Sequence, residues 1–175
     1  MGKSLILLGY MGSGKTLIAA EIARQKGFQY IDLDHFIEEK EQQTIPEIFA
    51  QKGEIYFRKI ERNYLEEVLK FETPFVLSVG GGTPCYGNAM ELINQNSNAI
   101  SIYLSANVEA LTQRLFSEKQ NRPLISHLQT QEELNDFIRK HLFERSFYYN
   151  QAKMIVKTDG KSVIEIVDEI AKNLF

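Results

Sequence analysis

Cysteine is nearly absent from this sequence, and tryptophan is absent altogether. Cys85 is the only cysteine among 175 residues, so no disulfide can form within them. A single thiol fits a reducing compartment, where disulfides are rare. The three histidines are too scattered for metal-ligand spacing. These scarcities exclude a disulfide-stabilised scaffold and argue against a histidine-ligated zinc protein.

An excess of positive charge and long apolar runs are also lacking. The formal net charge is -3, whereas nucleic-acid binders usually show a basic footprint. No apolar stretch approaches the length of a transmembrane helix. The first apolar run, Leu5–Leu8, is short and leads into a glycine-rich loop rather than a signal-peptide cleavage site. We therefore expect a cytoplasmic protein that binds neither nucleic acid nor membrane, and a monomer, since nothing in the sequence demands a dimer.

The glycine-rich loop is the strongest motif in the chain. Gly9–Thr16 matches the phosphate-loop pattern G-x-x-x-x-G-K-[ST] at every fixed position, between the apolar run and a helical stretch, Leu17–Lys26. Such glycines let backbone N–H groups converge on phosphate oxygens, and the helix N-terminus adds positive potential. The pattern predicts that Lys15 reaches the β- and γ-phosphates and that the Thr16 hydroxyl binds Mg²⁺.

Alternating strands and helices predict the fold. Short apolar runs without alternation are typical of strands buried on both faces of a sheet. They occupy Ser4–Gly9, Gln29–Leu33, Phe75–Val79, Ala99–Leu104 and Lys153–Lys157. Helical periodicity follows the loop and recurs at Glu54–Phe71, Asn88–Asn96, Asn107–Ser117, Gln131–Tyr149 and Ser162–Leu174. We predict an α/β protein with a three-layer α/β/α P-loop fold and a five-stranded parallel sheet.

Two segments interrupt this alternation. His35–Ala50 contains two short helical stretches that separate near Thr44–Pro46, where Thr44 is placed to cap the second. Ser117–Leu128 is polar. Insertions in a nucleotide-binding fold carry second substrate sites and mobile lids. We expect one domain over residues 1–175, with a substrate-binding helical insertion at about 34–60 and a lid at about 115–126.

Two acidic residues end the second predicted strand. Alternate residues of a strand point to the same side, so Asp32 and Asp34 are expected to face the carboxyl edge of the sheet together. One carboxylate would hold the Mg²⁺ water shell and the other would orient an acceptor hydroxyl. Asp32 is the better metal-side candidate because the third strand carries no acid. The alternative is a solvated strand end, or a helix cap for the stretch that begins at His35.

Glycines and arginines complete the candidate site. Gly80–Gly82 ends the third strand and would let a ligand approach the backbone, although a flexible turn is the alternative. Arg58 can pair with Glu61 one helical turn later, and Arg122 lies in the polar segment. Arg145 lies near the end of a predicted helix. Arginine suits carboxylate and phosphate, yet surface salt bridges are the usual role. Position alone does not distinguish these three from the other arginines, Arg24, Arg62, Arg114 and Arg139.

Taken together, these motifs resemble the shikimate kinase family. The resemblance runs from the first strand to near the last helix. It rests on Gly9–Thr16, Asp32-Leu33-Asp34, Phe57-Arg58-Lys59-Ile60-Glu61, Gly80-Gly81-Gly82, Arg122-Pro123-Leu124, and Arg145 with Tyr149. The phosphate loop and D-x-D are shared with other small kinases. The F-R-x-x-E motif, the triple glycine and the R-P-L motif, in this order, are far more specific.

The resemblance implies transfer of the ATP γ-phosphate to the 3-hydroxyl of shikimate, giving shikimate 3-phosphate and ADP in aromatic amino acid biosynthesis. It implies that shikimate is bound by Asp34, Arg58, Gly80, Gly81, Gly82 and Arg145. It implies that ATP is bound by Gly12, Ser13, Gly14, Lys15, Thr16, Arg114 and Arg122, and that Mg²⁺ is held by Thr16 and Asp32. The catalytic residues would be Lys15, Asp34 and Arg122.

Three other functions compete with this interpretation. A kinase for gluconate or a nucleoside monophosphate shares the phosphate loop and the D-x-D pair. A nucleotide-dependent regulatory switch would need switch loops and often a guanine-reading N-K-x-D motif, which is absent. A dinucleotide oxidoreductase is poorly supported, because the glycine order is not G-x-G-x-x-G. A shikimate-dependent kinase is the function that the motifs favour.

Overall fold

The computed structural model describes residues 2–174 and contains one five-stranded sheet. The strands are β1 (Ser4–Leu8), β2 (Gln29–Asp32), β3 (Phe75–Ser78), β4 (Ala99–Ser105) and β5 (Met154–Lys157). Their order across the sheet is β2-β3-β1-β4-β5, and every neighbouring pair is parallel. The predicted strands are confirmed, with ends that differ by one residue. The phosphate loop follows the central strand, at the carboxyl edge where open parallel sheets bind ligands.

Seven α-helices in the described residues cover both faces of the sheet, which confirms the predicted three-layer fold. They are α1 (Lys15–Lys26), α2 (Leu33–Glu41), α3 (Ile45–Val68), α4 (Ala89–Gln95), α5 (Val108–Glu118), α6 (Gln131–Tyr149) and α7 (Val163–Leu174). Side-chain alternation on β1 separates two cores: Leu5 and Leu7 pack with α1 and α7, whereas Ile6 and Leu8 pack with α3 and α4. Burial on both faces explains why the strand is apolar without alternation. Within the described residues, no helix is long and apolar enough to cross a membrane.

The helix predicted at Glu54–Phe71 is the second part of a longer helix. Helix α3 begins at Ile45, kinks at Gly53 and ends at Val68. Gly53 adopts φ 79° and ψ 174°, a conformation that glycine tolerates and that interrupts the helical bonding without ending the element. The predicted cap is confirmed, because Thr44 and Glu47 exchange side-chain and backbone hydrogen bonds in a capping box.

A third apolar cluster joins the phosphate loop to α5 and α6. Tyr10, from the loop, is 1% exposed and packs among residues that include Leu111, Ile138 and Tyr149. Ile125, in the segment after α5, is also fully buried in this cluster. The phosphate loop is therefore anchored on the same helix that carries Arg145.

Candidate active site

The phosphate loop holds its lysine by its own backbone. Gly14 adopts a left-handed conformation with φ 93° as it leads into α1, and no side chain among residues 2–174 caps this helix. The N–H groups of the first turn are therefore left for an anion, as at other helix N-termini. The Lys15 Nζ donates to the carbonyl oxygens of Gly9 at 2.8 Å and Tyr10 at 3.0 Å. This places the ammonium group at the mouth of the loop.

Lys15 and Asp34 belong to one buried group of charges. Burial lowers the pKa of Lys15 to about 8, although Asp34 and Asp32 act in the opposite direction. Burial, followed by the charges of Asp32 and Glu61, raises the pKa of Asp34 to about 6, and Lys15 only partly offsets this. The Asp34 carboxyl therefore exchanges its proton closer to neutral pH than an ordinary aspartate does.

The placement of the two aspartates on one strand was wrong. β2 ends at Asp32, and Asp34 lies in the first turn of α2. Asp32 is the N-cap of that helix, since its side chain accepts from the His35 N–H at 3.2 Å. The capping bond starts the helix at Leu33. From this point side chains return to the same face every 3.6 residues, as in a helix, instead of every 2 residues, as in a strand. Both carboxylates nevertheless line the same cavity.

This cavity brings together all seven residues that were predicted to bind ATP. Its volume is about 490 Å³. The predicted site residues that line it are Gly12, Ser13, Gly14, Lys15, Thr16, Asp32, Asp34, Gly80, Gly81, Arg114 and Arg122. The Arg114 Nη1 donates to the carbonyl oxygen of Gly12 at 3.1 Å, which ties α5 to the phosphate loop. The Arg122 Nη2 donates to Glu118 at 2.8 Å. Arg122 therefore lies at the cavity wall with a carboxylate as its partner.

The triple glycine is the surface on which Arg58 and Arg145 lie, the two arginines that the resemblance assigns to shikimate binding. A Cβ on Gly82 would lie 2.9 Å from the Arg58 Nη2, and a Cβ on Gly81 would lie 3.1 Å from the Arg145 Nη1. Side chains at these positions would push both guanidinium groups away. The cavity of about 490 Å³ beside the phosphate loop, here called the phosphate cavity, is not lined by Arg58, Gly82 or Arg145. Arg58 lines a neighbouring cavity of 240 Å³ beyond the glycine turn.

Asp34 adjoins the same turn. A Cβ on Gly80 would lie 3.4 Å from the Asp34 Oδ1. The three successive glycines therefore approach Asp34, Arg145 and Arg58 in turn, which sets one carboxylate and two guanidinium groups around a single bend of backbone. The flexible-turn alternative does not account for these close approaches.

The two arginines are held in different ways. The Arg58 Nη1 donates to Glu61 at 2.8 Å, and its guanidinium lies 3.8 Å from the centre of the Tyr86 ring. Its Nε is buried, lies 3.7 Å from the Glu54 Oε1, and has no hydrogen-bond acceptor within the described residues. Arg145 has no carboxylate within 4.0 Å among residues 2–174, and its guanidinium lies 5.7 Å from the centre of the Tyr10 ring. Both guanidinium groups retain hydrogen-bonding capacity for an anion.

Comparison with known proteins identifies the family. The family model described as shikimate kinase matches residues 11–175. A shikimate kinase of Flavobacterium psychrophilum is 43% identical over 173 residues, covering 99% of each chain. The chain belongs to the shikimate kinase family. Its activity is the ATP-dependent phosphorylation of shikimate, in aromatic amino acid biosynthesis.

Solved structures of shikimate kinases share the fold over almost the whole chain. The crystal structure of the Bacteroides thetaiotaomicron shikimate kinase matches with a TM-score of 0.86 and 34% identity, covering 98% of each chain. The Acinetobacter baumannii shikimate kinase, solved in complex with shikimate, matches with a TM-score of 0.83 and 30% identity, covering 99% of this chain and 93% of that one. Membership of the family decides against the switch and oxidoreductase alternatives.

Three polar residues near the shikimate kinase motifs escaped the sequence prediction. Tyr30 contacts both metal-side candidates, since its hydroxyl lies 3.5 Å from Asp32 and hydrogen-bonds Thr16. Thr83 donates to Glu61 at 2.6 Å and so fixes the carboxylate that holds Arg58. Glu118 is the partner of Arg122. Of these contacts, the pair of Glu118 with Arg122 could have been predicted locally, because the two residues are four apart in the sequence. The hydrogen bonds to Thr16 and to Glu61 join parts of the chain that are farther apart.

Proposed function

We propose that this chain transfers the γ-phosphate of ATP to the 3-hydroxyl of shikimate at the bend formed by Gly80–Gly82. The observation that carries the proposal is the approach of Asp34, Arg145 and Arg58 to three successive glycines. Asp34 also lies in the charge group of Lys15, on the phosphate side. A two-substrate reaction requires such a meeting of an acceptor site and a phosphate site, because the reacting atoms must be held within van der Waals reach.

The acceptor half of the site suits an anionic polyol. Arg58 and Arg145 would bind the shikimate carboxylate, since a guanidinium donates two parallel hydrogen bonds to a carboxylate. The Arg58 Nε is buried and has no hydrogen-bond acceptor in the part of the chain that the structure describes. The backbone of the triple glycine would lie against the ring of the substrate. The helical segment at about 34–60, which carries Asp34 and Arg58, would form the acceptor side.

Asp34 would act as the general base. Its pKa of about 6 leaves the carboxylate mostly ionised at neutral pH, yet basic enough to accept a proton from a hydroxyl as the new bond to phosphorus forms. The attacking oxygen of shikimate loses its proton to Asp34 and gains the phosphoryl group, and the electron pair of the breaking bond leaves with ADP. Lys15 would stabilise the charge on the transferring phosphoryl oxygens.

The phosphate half would close over the nucleotide. The N–H groups of Gly12–Thr16 would hold the β- and γ-phosphates, and Arg114, already bonded to Gly12, would line the nucleotide site. Arg122 would exchange Glu118 for the transferring phosphate when the lid at about 115–126 closes. Closure excludes water, which would otherwise hydrolyse ATP.

Thr16 and Asp32 would hold Mg²⁺, which neutralises phosphate charge when it is bound. The residues fit, because Mg²⁺ in kinase sites takes few protein ligands and fills the remaining positions with water and phosphate oxygens. The Tyr30 hydroxyl contacts both residues and so holds a hydroxyl and a carboxylate near one another. Among residues 2–174, no group of three or more His, Cys, Asp or Glu side chains could hold a metal ion.

The position of phosphate transfer tests the proposed function. Incubation with Mg²⁺, ATP and shikimate should give a single phosphorylated product, with the phosphorus coupled to the proton on carbon 3 in NMR spectra. The 3-deoxy analogue of shikimate should bind without accepting phosphate, because it retains the carboxylate and lacks the attacking oxygen. Phosphate on another hydroxyl, or transfer to the 3-deoxy analogue, would contradict the proposed orientation.

A further inference from the structure

We propose that Tyr10 and His141 are positioning residues for the acceptor, which hold the Arg145 guanidinium against Gly81. This inference rests on the proposed role of Arg145 in binding the carboxylate of shikimate. Tyr10 occupies a variable position of the phosphate-loop pattern, so the motif predicts no function for its side chain. Its place in the structure supplies one.

Tyr10 connects the phosphate loop to the helix that carries Arg145. Its side chain is 1% exposed, and its hydroxyl lies 3.0 Å from the Nδ1 of His141. The two rings also meet edge to face, with centroids 5.5 Å apart. His141 precedes Arg145 by one turn of α6, and the Arg145 guanidinium lies 5.7 Å from the centre of the Tyr10 ring. The hydrogen bond therefore fixes the orientation of the ring beside Arg145.

Arg145 requires uncharged neighbours that orient its guanidinium group. Arg58 has Glu61 as a partner, whereas no carboxylate lies within 4.0 Å of Arg145 in the described part of the chain. Burial raises the pKa of Tyr10 to about 12 and lowers the pKa of His141, so both groups are uncharged at neutral pH. A carboxylate at this position would compete with that of the substrate, but an aromatic face and a neutral hydrogen bond orient the cation without neutralising it.

Tyr10 also contacts Lys15 of the phosphate loop, but through its backbone. The Tyr10 carbonyl oxygen accepts from the Lys15 Nζ at 3.0 Å. A side-chain substitution leaves that carbonyl in place. Loss of the Tyr10 hydroxyl should therefore affect the acceptor and spare ATP, and this separation distinguishes a positioning role from general damage to the loop.

Calorimetric titration of matched variants with shikimate and with ATP tests the inference. Tyr10→Phe and His141→Leu should each raise the shikimate Kd about three- to tenfold, the effect of one lost hydrogen bond, and the double variant should be no worse than either. His141→Gln should stay within about twofold of the wild-type Kd, because an amide both donates and accepts. ATP affinity should be unchanged in all of them.

Ser101→Ala is the control for simple destabilisation. Ser101 is fully buried, and its hydroxyl donates to Asn94 at 2.7 Å, away from both substrates. The Ser101→Ala substitution should lower the melting temperature without changing the shikimate Kd. If Tyr10→Phe does not fold, the comparison of His141→Leu with His141→Gln carries the test.

Two outcomes separate this inference from the proposed function. If the wild-type chain binds shikimate and the Tyr10 and His141 variants bind it equally well, or lose ATP affinity to the same extent, the inference alone is overturned. If the wild-type chain does not bind shikimate, the proposed function fails and the inference fails with it.

Discussion

Replacement of Asp34 by asparagine should lower kcat by about 100- to 10,000-fold, the usual contribution of a general base. Asparagine has nearly the same size and shape but cannot accept the proton of the attacking hydroxyl. The KM values for both substrates should change little, because asparagine can still hydrogen-bond the acceptor hydroxyl and the arginines and the phosphate loop are untouched. Steady-state kinetics with each substrate varied in turn would measure this. A variant that retains more than about a tenth of the wild-type kcat would contradict the role of Asp34 as base.

The pH dependence of the wild-type enzyme gives a second measurement of the same residue. Only the ionised carboxylate accepts a proton, and the pKa of Asp34 in the free enzyme is raised to about 6. Activity should therefore be present above that pH and fall as the pH drops through about 6. The profile of kcat/KM reports groups of the free enzyme. Asp34→Asn should remove this acidic limb from its residual activity, and a limb that persists would assign the titration to another group.

Replacement of Arg58 by alanine should lower kcat/KM for shikimate by about 100-fold, as expected for loss of charge-assisted hydrogen bonds to a carboxylate. ATP binding should be preserved, because Arg58 lies beyond the glycine turn and does not line the phosphate cavity. Gly82→Ala should show a milder form of the same defect. Gly82 has φ -85°, which alanine adopts without strain, so its Cβ acts only by displacing the Arg58 guanidinium.

Arg62→Ala provides the matched control for Arg58. Arg62 lies one turn later on α3 and makes exposed contacts with Asn88 and Glu66. Such surface ion pairs contribute little, so its kinetics should remain close to the wild type. Equal loss of ATP and shikimate binding in Arg58→Ala would remove Arg58 from the acceptor site.

The local motifs predicted the parts of the structure that depend on neighbouring residues. The strand–loop–helix unit around Lys15 and the cap at Thr44 each arise from bonds that close within a few residues, so the sequence pattern contains them. The wrong placement of Asp34 on a strand also depended on a bond between near neighbours in the sequence. Either a strand or a helix was compatible with Asp32-Leu33-Asp34, and the capping bond from His35 decided for the helix.

The remaining contacts depend on tertiary packing and left no local pattern. The contact of Tyr10 with His141 spans 131 residues, and that of Thr83 with Glu61 spans 22. The placement of the two arginines against Gly81 and Gly82 likewise requires α3 and α6 to meet the end of β3. Resemblance to a family selected Arg58 and Arg145 among the arginines, and in the structure their guanidinium groups lie against two successive glycines of one turn.

The central claim is that the bend at Gly80–Gly82 turns an ATP-binding loop into a site for two substrates. The most direct test is the rate of ADP release from Mg²⁺ and ATP, measured in a coupled assay with and without shikimate. We predict rapid release with shikimate and almost none without it, because the acceptor supplies the attacking oxygen and closure excludes water. Release at the same rate in both conditions, or in neither, would contradict the account.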